Sequence, residues 1–405
     1  MIASRLACPR FGPVLAILLS SLALAACSDD GDDGDGNRPS SSSTGGGGNA
    51  QAVIDNYAAN VHANYEQVLT GVEALKNTVA AFVDAPTEPN MKTARDAWLA
   101  SRPAYLQSEV YRFYNGPIDN AETGPEGKIN GWPLDENFID YTDLQPTAGI
   151  INDPDTFPEI TTALIAEQNE AIDEKSLSAG FHAIEFLLWG EDLDENGPGA
   201  RPASDYVTGP TGSADNQDRR GTYLQAVTDL LIADLQTVVA QWQPGTAYAA
   251  ELTGDDPIAS LTKMITGMGS LSGGELKNER INNAYQTKDQ EEEHSCFSDN
   301  THVDHLNDAI GIQNVYLGKF GGNDGAGLDE LVKAVNPELD AQMKADLESA
   351  IAAIEAIPTP FDQAIVDEAA GGGREKIKAA IDALQKLTDT TVDVATALGV
   401  TLNVE

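Results

Sequence analysis

Cysteine is nearly missing from this chain, with three in 405 residues. Cys8 lies ahead of a short N-terminal apolar segment and Cys27 at its end, which leaves Cys296 alone in the body and excludes an intramolecular disulfide there. The fold must therefore rest on its core, and about 355 residues suffice for about two domains of ordinary size. Basic residues are also few: 24 Lys and Arg face 64 Asp and Glu, for a formal net charge of −40. Such a chain repels nucleic acid and bare anionic lipid and attracts cations. A saline habitat would produce the same bias. Long apolar runs are missing as well, since residues 14–24 are too short to span a bilayer.

That short run follows Arg5 and Arg10 and ends Leu24-Ala25-Ala26-Cys27, the form of a bacterial lipoprotein signal. The expectation is a signal peptide over 1–26, cleavage before Cys27 and a lipid on its thiol, anchoring the protein to a membrane of the bacterial envelope. Ser28 in place of Asp favours the outer membrane. Residues 27–48 are then an acidic Gly/Ser tether, whose flexible reach is about 25 Å.

Beyond the tether the period is helical. Val53, Tyr57, Val61, Val68, Val72, Leu75 and Val79 share one helix face. A second helix is expected from Asn90 through Trp98, Tyr105 and Phe113. Others are expected over 158–173, 176–189, 218–242, 257–288, 302–318, 337–357 and 373–398. Long irregular loops cover 115–158 and 192–217. No alternating strand set appears, so the fold class is all-α: two helical-bundle halves, 49–245 and 246–405. Aligning Gly190 with Gly318 sets AIEFLLWG over GIQNVYLG. This is either a degenerate internal repeat or chance likeness between apolar helices.

Chemistry concentrates in two places. In GFHAIEFLLWG, residues 180–190, His182 and Glu185 lie three apart on one face of an otherwise apolar helix. Buried polar groups need partners, and a metal ion would serve both. In residues 289–305, Glu291, Glu292, Glu293, His294, Asp299, His302, Asp304 and His305 could supply further ligands. Helix geometry lets only two or three of them address one point. Asp192, Asp194, Asn196 and Gly197 open like a calcium loop, but Ala203 stands where the bidentate glutamate belongs.

The Gly-x-His-x-x-Glu pattern in 180–185, with the blocks at 97–119, 126–141 and 289–304, resembles the imelysin-like family of bacterial envelope proteins, in particular its iron-regulated branch. The resemblance implies paired helical bundles and iron handling. It places metal ligands at His182 and Glu185, and puts Glu109 and Asp119 where related members carry acidic ligands. Iron, ferric or ferrous, is the implied metal, and this donor set also accepts zinc or copper. Trp98, Arg102 and Tyr105 sit at helical spacing from Glu109 and are candidate contacts to a bound chelate. For Arg102 a buried structural ion pair is an equal reading. An envelope iron transporter or receptor is the partner such a role calls for. Two other classes compete: a metallopeptidase, which lacks here the His-Glu-x-x-His pattern and an assignable base, and a structural or protein-binding module.

Overall fold

The computed structural model describes residues 47–194 and 196–402. The expected signal peptide, Cys27 and the tether up to residue 46 lie outside the described residues. The described residues fall in one compact unit. In chain order its helices are α1 (Gly47–Asp84), α2 (Glu88–Leu106), α3 (Glu126–Ile129), α4 (Glu136–Ile139), α5 (Thr162–Gln168), α6 (Gly180–Trp189), α7 (Gln217–Trp242), α8 (Ala247–Gly254), α9 (Pro257–Ser270), α10 (Asn283–Thr287), α11 (Thr301–Leu317), α12 (Leu328–Val335), α13 (Pro337–Glu355), α14 (Phe361–Val366) and α15 (Gly373–Ala397). A two-residue hairpin, β1 (Lys319–Phe320) with β2 (Asn323–Asp324), follows α11. The fold is all-α, as the periodicity indicates. Among the described residues no helix is long and apolar enough to cross a membrane.

Helix α1 buries the whole stripe from Val53 to Phe82 against α2 and α7. Helices α13 and α15 pair with each other, and α15 also packs on the segment leading out of α9. Helix α11 touches both groups, through α2 on one side and α13 on the other. Its approach to α2 depends on Gly311, where a Cβ would stand 2.6 Å from the carbonyl oxygen of Gln107. Gln107 in turn donates to Asn307 (2.8 Å) and accepts from Asn314 (3.1 Å), which fixes the register of the two helices.

Three boundaries differ from the sequence expectation for identifiable reasons. Thr87, not Asn90, caps α2 by accepting the Asn90 amide. Helix α2 stops at Leu106 because the Ser108 hydroxyl donates to the Tyr105 carbonyl at 2.6 Å, and Glu109 falls on a separate 3-10 turn, Glu109–Tyr111. Helix α6 starts at Gly180, not Ser176, because Ser176 is engaged with Asp173 and Gly180 has a φ of 88°. The expected 257–288 helix is continuous but passes through a π-helical segment, Leu271–Asn282, between α9 and α10. In the 192–197 loop, Asp192 and Asp194 accept backbone amides two residues on, closing turns.

His305 is fully buried on α11, with its ring edge-on to Phe361 and neither nitrogen hydrogen-bonded. Burial first, then His294 and Arg280, push its pKa down to about 3. The unfolded chain therefore binds a proton that the fold refuses, and stability falls as pH drops below the ordinary value of 6.5 toward 3. Replacing His305→Leu should add about 1 kcal/mol at neutral pH by removing an unpaired polar group, and should flatten that acid slope. Denaturant unfolding as a function of pH measures both effects. A variant of unchanged stability and slope would contradict this account.

Candidate metal centre

Gly180 explains the first position of the Gly-x-His-x-x-Glu pattern. Its φ is left-handed, and a Cβ there would lie 2.6 Å from the Ile129 carbonyl oxygen. The glycine thus turns the chain into α6 while letting the end of α3 press against the helix start. Asn130, the next residue, is carried to the site by this contact.

Down α6, His182 and Glu185 are both buried, with Nδ1 and Oε2 2.8 Å apart. Glu185 Oε1 accepts the Ser298 amide (3.0 Å) and hydroxyl (2.6 Å). The other edge of the His182 ring meets His294, Nε2 to Nε2 at 3.2 Å. His294 Nδ1 lies 2.9 Å from Asp304 Oδ2. Asp304 is held by Arg102 (Nη2 to Oδ2 2.5 Å), and Arg102 Nη1 donates to Asn130 Oδ1 at 2.7 Å. The Trp132 indole covers the His182 ring at a centroid distance of 4.7 Å. The result is a linear array: Glu185, His182, His294, Asp304, Arg102.

Electrostatics fixes the protons along it. Burial opposes the charge of Asp304, but Arg102 and His294 outweigh burial and hold its carboxyl well below the usual range. An ionised Asp304 requires His294 to donate from Nδ1, leaving its Nε2 as an acceptor. Asn130 agrees, since its oxygen is taken by Arg102 and its Nδ2 faces His294 Nε2 at 3.4 Å. His182 Nε2 must then carry the hydrogen, and its bare Nδ1 must accept from a protonated Glu185. Burial pushes Glu185 up to about 8, which supplies that proton. If Glu185 ionises, His182 donates to it and two Nε2 lone pairs face each other. A cation between them would satisfy that state. Both rings stay neutral: burial and then His294 hold His182 well below its usual range, while burial and then Arg280 bring His294 to about 4.

The remaining predicted residues lie elsewhere or serve other partners. Glu109 does not join the histidines. Burial would raise its pKa, but Arg112 (2.6 Å) and Arg280 dominate and bring it to about 2. Asp119 spends both oxygens on the Tyr114, Asn115 and Gly116 amides. The four acidic and imidazole positions implied by the resemblance therefore do not form one cluster: Glu109 belongs to an arginine pair and Asp119 to a turn. Trp98 donates to the Phe181 carbonyl (2.9 Å), Tyr105 packs on Phe181 at 5.0 Å, and the Arg102 guanidinium lies over Phe181 at 4.9 Å. These three frame the site from behind, and Arg102 makes the buried ion pair. Of the 289–305 candidates, His294 reaches His182 and Asp304 orients His294; Glu293 turns to Thr301 (3.0 Å) and His305 to Phe361. Asn130, Trp132 and Ser298 were not singled out from sequence. The signal for the first two was their place in the 126–141 block.

Among the described residues no three His, Cys, Asp or Glu side chains form a ready cation cage. What the fold provides is two imidazole nitrogens facing one point, each backed by a carboxylate on its other nitrogen. This is a predominantly helical protein with a buried pair of histidines. The chain matches the imelysin family over residues 61–391 and belongs to it. It is 28% identical over 340 residues to iron-regulated protein A of Synechococcus elongatus, covering 81% of this chain and 80% of that protein. Its fold resembles the crystal structure of a putative iron-regulated protein A precursor from Parabacteroides distasonis (TM-score 0.70, 24% identity, 88% of this chain and 97% of that one). It also resembles an imelysin-like protein from Psychrobacter arcticum (TM-score 0.65, 13% identity, 88% and 97%).

Gly180→Ala should cost more than about 2 kcal/mol, since it adds a left-handed alanine to a steric clash, and should disturb Asn130 and His182 together. Thermal unfolding tests the size of this effect. A change within about 0.5 kcal/mol, as at an ordinary surface position, would show that the glycine is not required.

Proposed function

We propose that this protein is an envelope lipoprotein, anchored through lipid on Cys27, that binds a metal ion, iron foremost, as part of bacterial iron uptake. The observation that carries this reading is the 3.2 Å separation of the two Nε2 atoms with both Nδ1 atoms matched to carboxylates. Two imidazoles on one metal, with bonds of about 2.05 Å and angles near 90–109°, place their nitrogens about 2.9–3.4 Å apart. A carboxylate on the far nitrogen is the usual means of fixing a ligating ring. Neutral imidazoles suit ferrous iron and also accept zinc or copper. The name of the cyanobacterial relative, iron-regulated protein A, supports iron. His182 and His294 would hold the ion, with Glu185 and Asp304 orienting them.

A metallopeptidase is the weaker reading. A hydrolytic zinc centre takes three protein ligands and a base beside the bound water. Here Glu185 is committed to His182 Nδ1 and Ser298, on the side of the ring away from His294. Glu109 and Asp119, the residues available to complete such a centre on sequence grounds, are engaged elsewhere.

The full chain, purified without chelator, should retain metal by elemental analysis and bind ferrous ion on titration. His182→Ala and His294→Ala should each weaken binding by more than about 100-fold, while Glu109→Gln and Asp119→Asn leave it within a few-fold. Circular dichroism establishes that each variant is folded. Unchanged affinity in both folded histidine variants would sink the proposal.

A further inference from the structure

A cleft runs from the surface to His294. It lies between the 126–133 segment and the π-helical segment, encloses about 300 Å³, and has Glu126, Trp132, Glu275, Glu279, Glu292 and buried His294 in its walls. His182 is not in its lining, and the Trp132 ring, 4.7 Å from His182, stands between.

The charge of this cleft is one-sided. Arg112 and Arg280 also line it, and both are already paired with carboxylates, although the buried Nε of Arg112 has no hydrogen-bond partner. Arg112 is bound to Glu109 and Glu126, and Arg280 to Glu109, Glu275 and Asp308. Among the described residues Glu279 and Glu292 have no basic partner. Six carboxylates thus surround two guanidiniums. Asp308 and Glu126 are pushed up by burial, yet with both taken as neutral the carboxylates still outnumber the arginines. Low-dielectric walls focus such a potential and raise the local concentration of cations. The guanidinium that chelate recognition would use, Arg102, is fully buried on Asp304 and Asn130. Six waters at about 30 Å³ each occupy about 180 Å³, so the cleft can admit an ion with its hydration shell.

Resting on the metal-binding reading above, we propose that this cleft is the access route to His182 and His294 and that it selects its cargo by charge. An aquated metal cation passes, and an anionic chelate does not. The π-helical segment contributes Glu275 and Glu279 to one wall, which gives its irregular winding a role: it supplies carboxylates to the route rather than ligands to the ion. Glu279 and Glu292 draw the cation in without coordinating it at the histidines.

Stopped-flow mixing of the full chain with ferrous ion, free of oxygen and followed by indole quenching, tests the route. The E279Q/E292Q double variant should associate about fivefold or more slowly at low salt, with a shallower dependence on ionic strength and an unchanged dissociation rate. Ferric citrate, as the anionic probe, should not be bound intact. Association as fast as wild type in E279Q/E292Q, or citrate retained with the iron at an affinity comparable to that of the bare ion, overturns the route while leaving the histidine centre standing. If wild type binds no ferrous ion at equilibrium, the metal-binding reading itself fails and the route fails with it.

Discussion

The ion pair between Arg102 and Asp304 is the constraint on which the centre depends. Both side chains are fully buried, and the guanidinium lies over Phe181 of α6, Trp98 and Tyr105 of α2 while donating to Asn130 and Asp304. It thereby ties α2, α6, α11 and the 130 loop to one point. Removing one partner of such a pair typically costs about 3–5 kcal/mol, because the other charge is left in a medium that cannot solvate it. Its chemical effect is as important as its mechanical one. By keeping Asp304 ionised it decides which nitrogen of His294 carries the hydrogen, and so which nitrogen is offered to His182.

The same device occurs a second time without a histidine. Asp140 accepts from Arg201 (2.6 Å) and Arg220 (2.6 Å), all three buried, joining α4, the 201–206 turn and α7. That cluster is closed: both carboxylate oxygens are met by arginine. In the Arg102 cluster one oxygen of Asp304 is shared with a titratable ring, and the chain of hydrogen bonds runs on to Glu185. A closed pair holds elements together. An open one transmits its charge to a neighbour whose protonation can change.

Most helices are legible in the sequence because their apolar stripes are long, as in α1 from Val53 to Phe82 and in α15. Local chemistry hides the rest. A single hydroxyl, Ser108, ends α2 and moves Glu109 off the face it was expected to share with Arg102. A left-handed glycine delays α6 by four residues relative to the expected start at Ser176. The π-helical winding has no signature in an apolar pattern tuned to 3.6 residues per turn. For the site, His182 and Glu185 are readable because three residues on a helix fix their geometry. His294 is not, because its meeting with His182 is a contact between segments 112 residues apart. Nine acidic or imidazole side chains in that block qualify by type, and only tertiary packing selects among them.

That sequence distance has a consequence for the life of the molecule. Neither half of the centre exists as a chelator by itself, because His182 without His294 presents one nitrogen, backed by one carboxylate. A nascent or unfolded chain therefore lacks this geometry, and capture of an ion, as proposed, would begin only once residues on both sides of the 112-residue gap have docked. On the proposed metal-binding reading, chelation and folding would be one linked equilibrium: an ion at a hundred times its dissociation constant would add about 2.7 kcal/mol to the native state alone. Occupancy would then be written into the lifetime of the protein, with the loaded form outlasting the empty one under any condition that tests the fold.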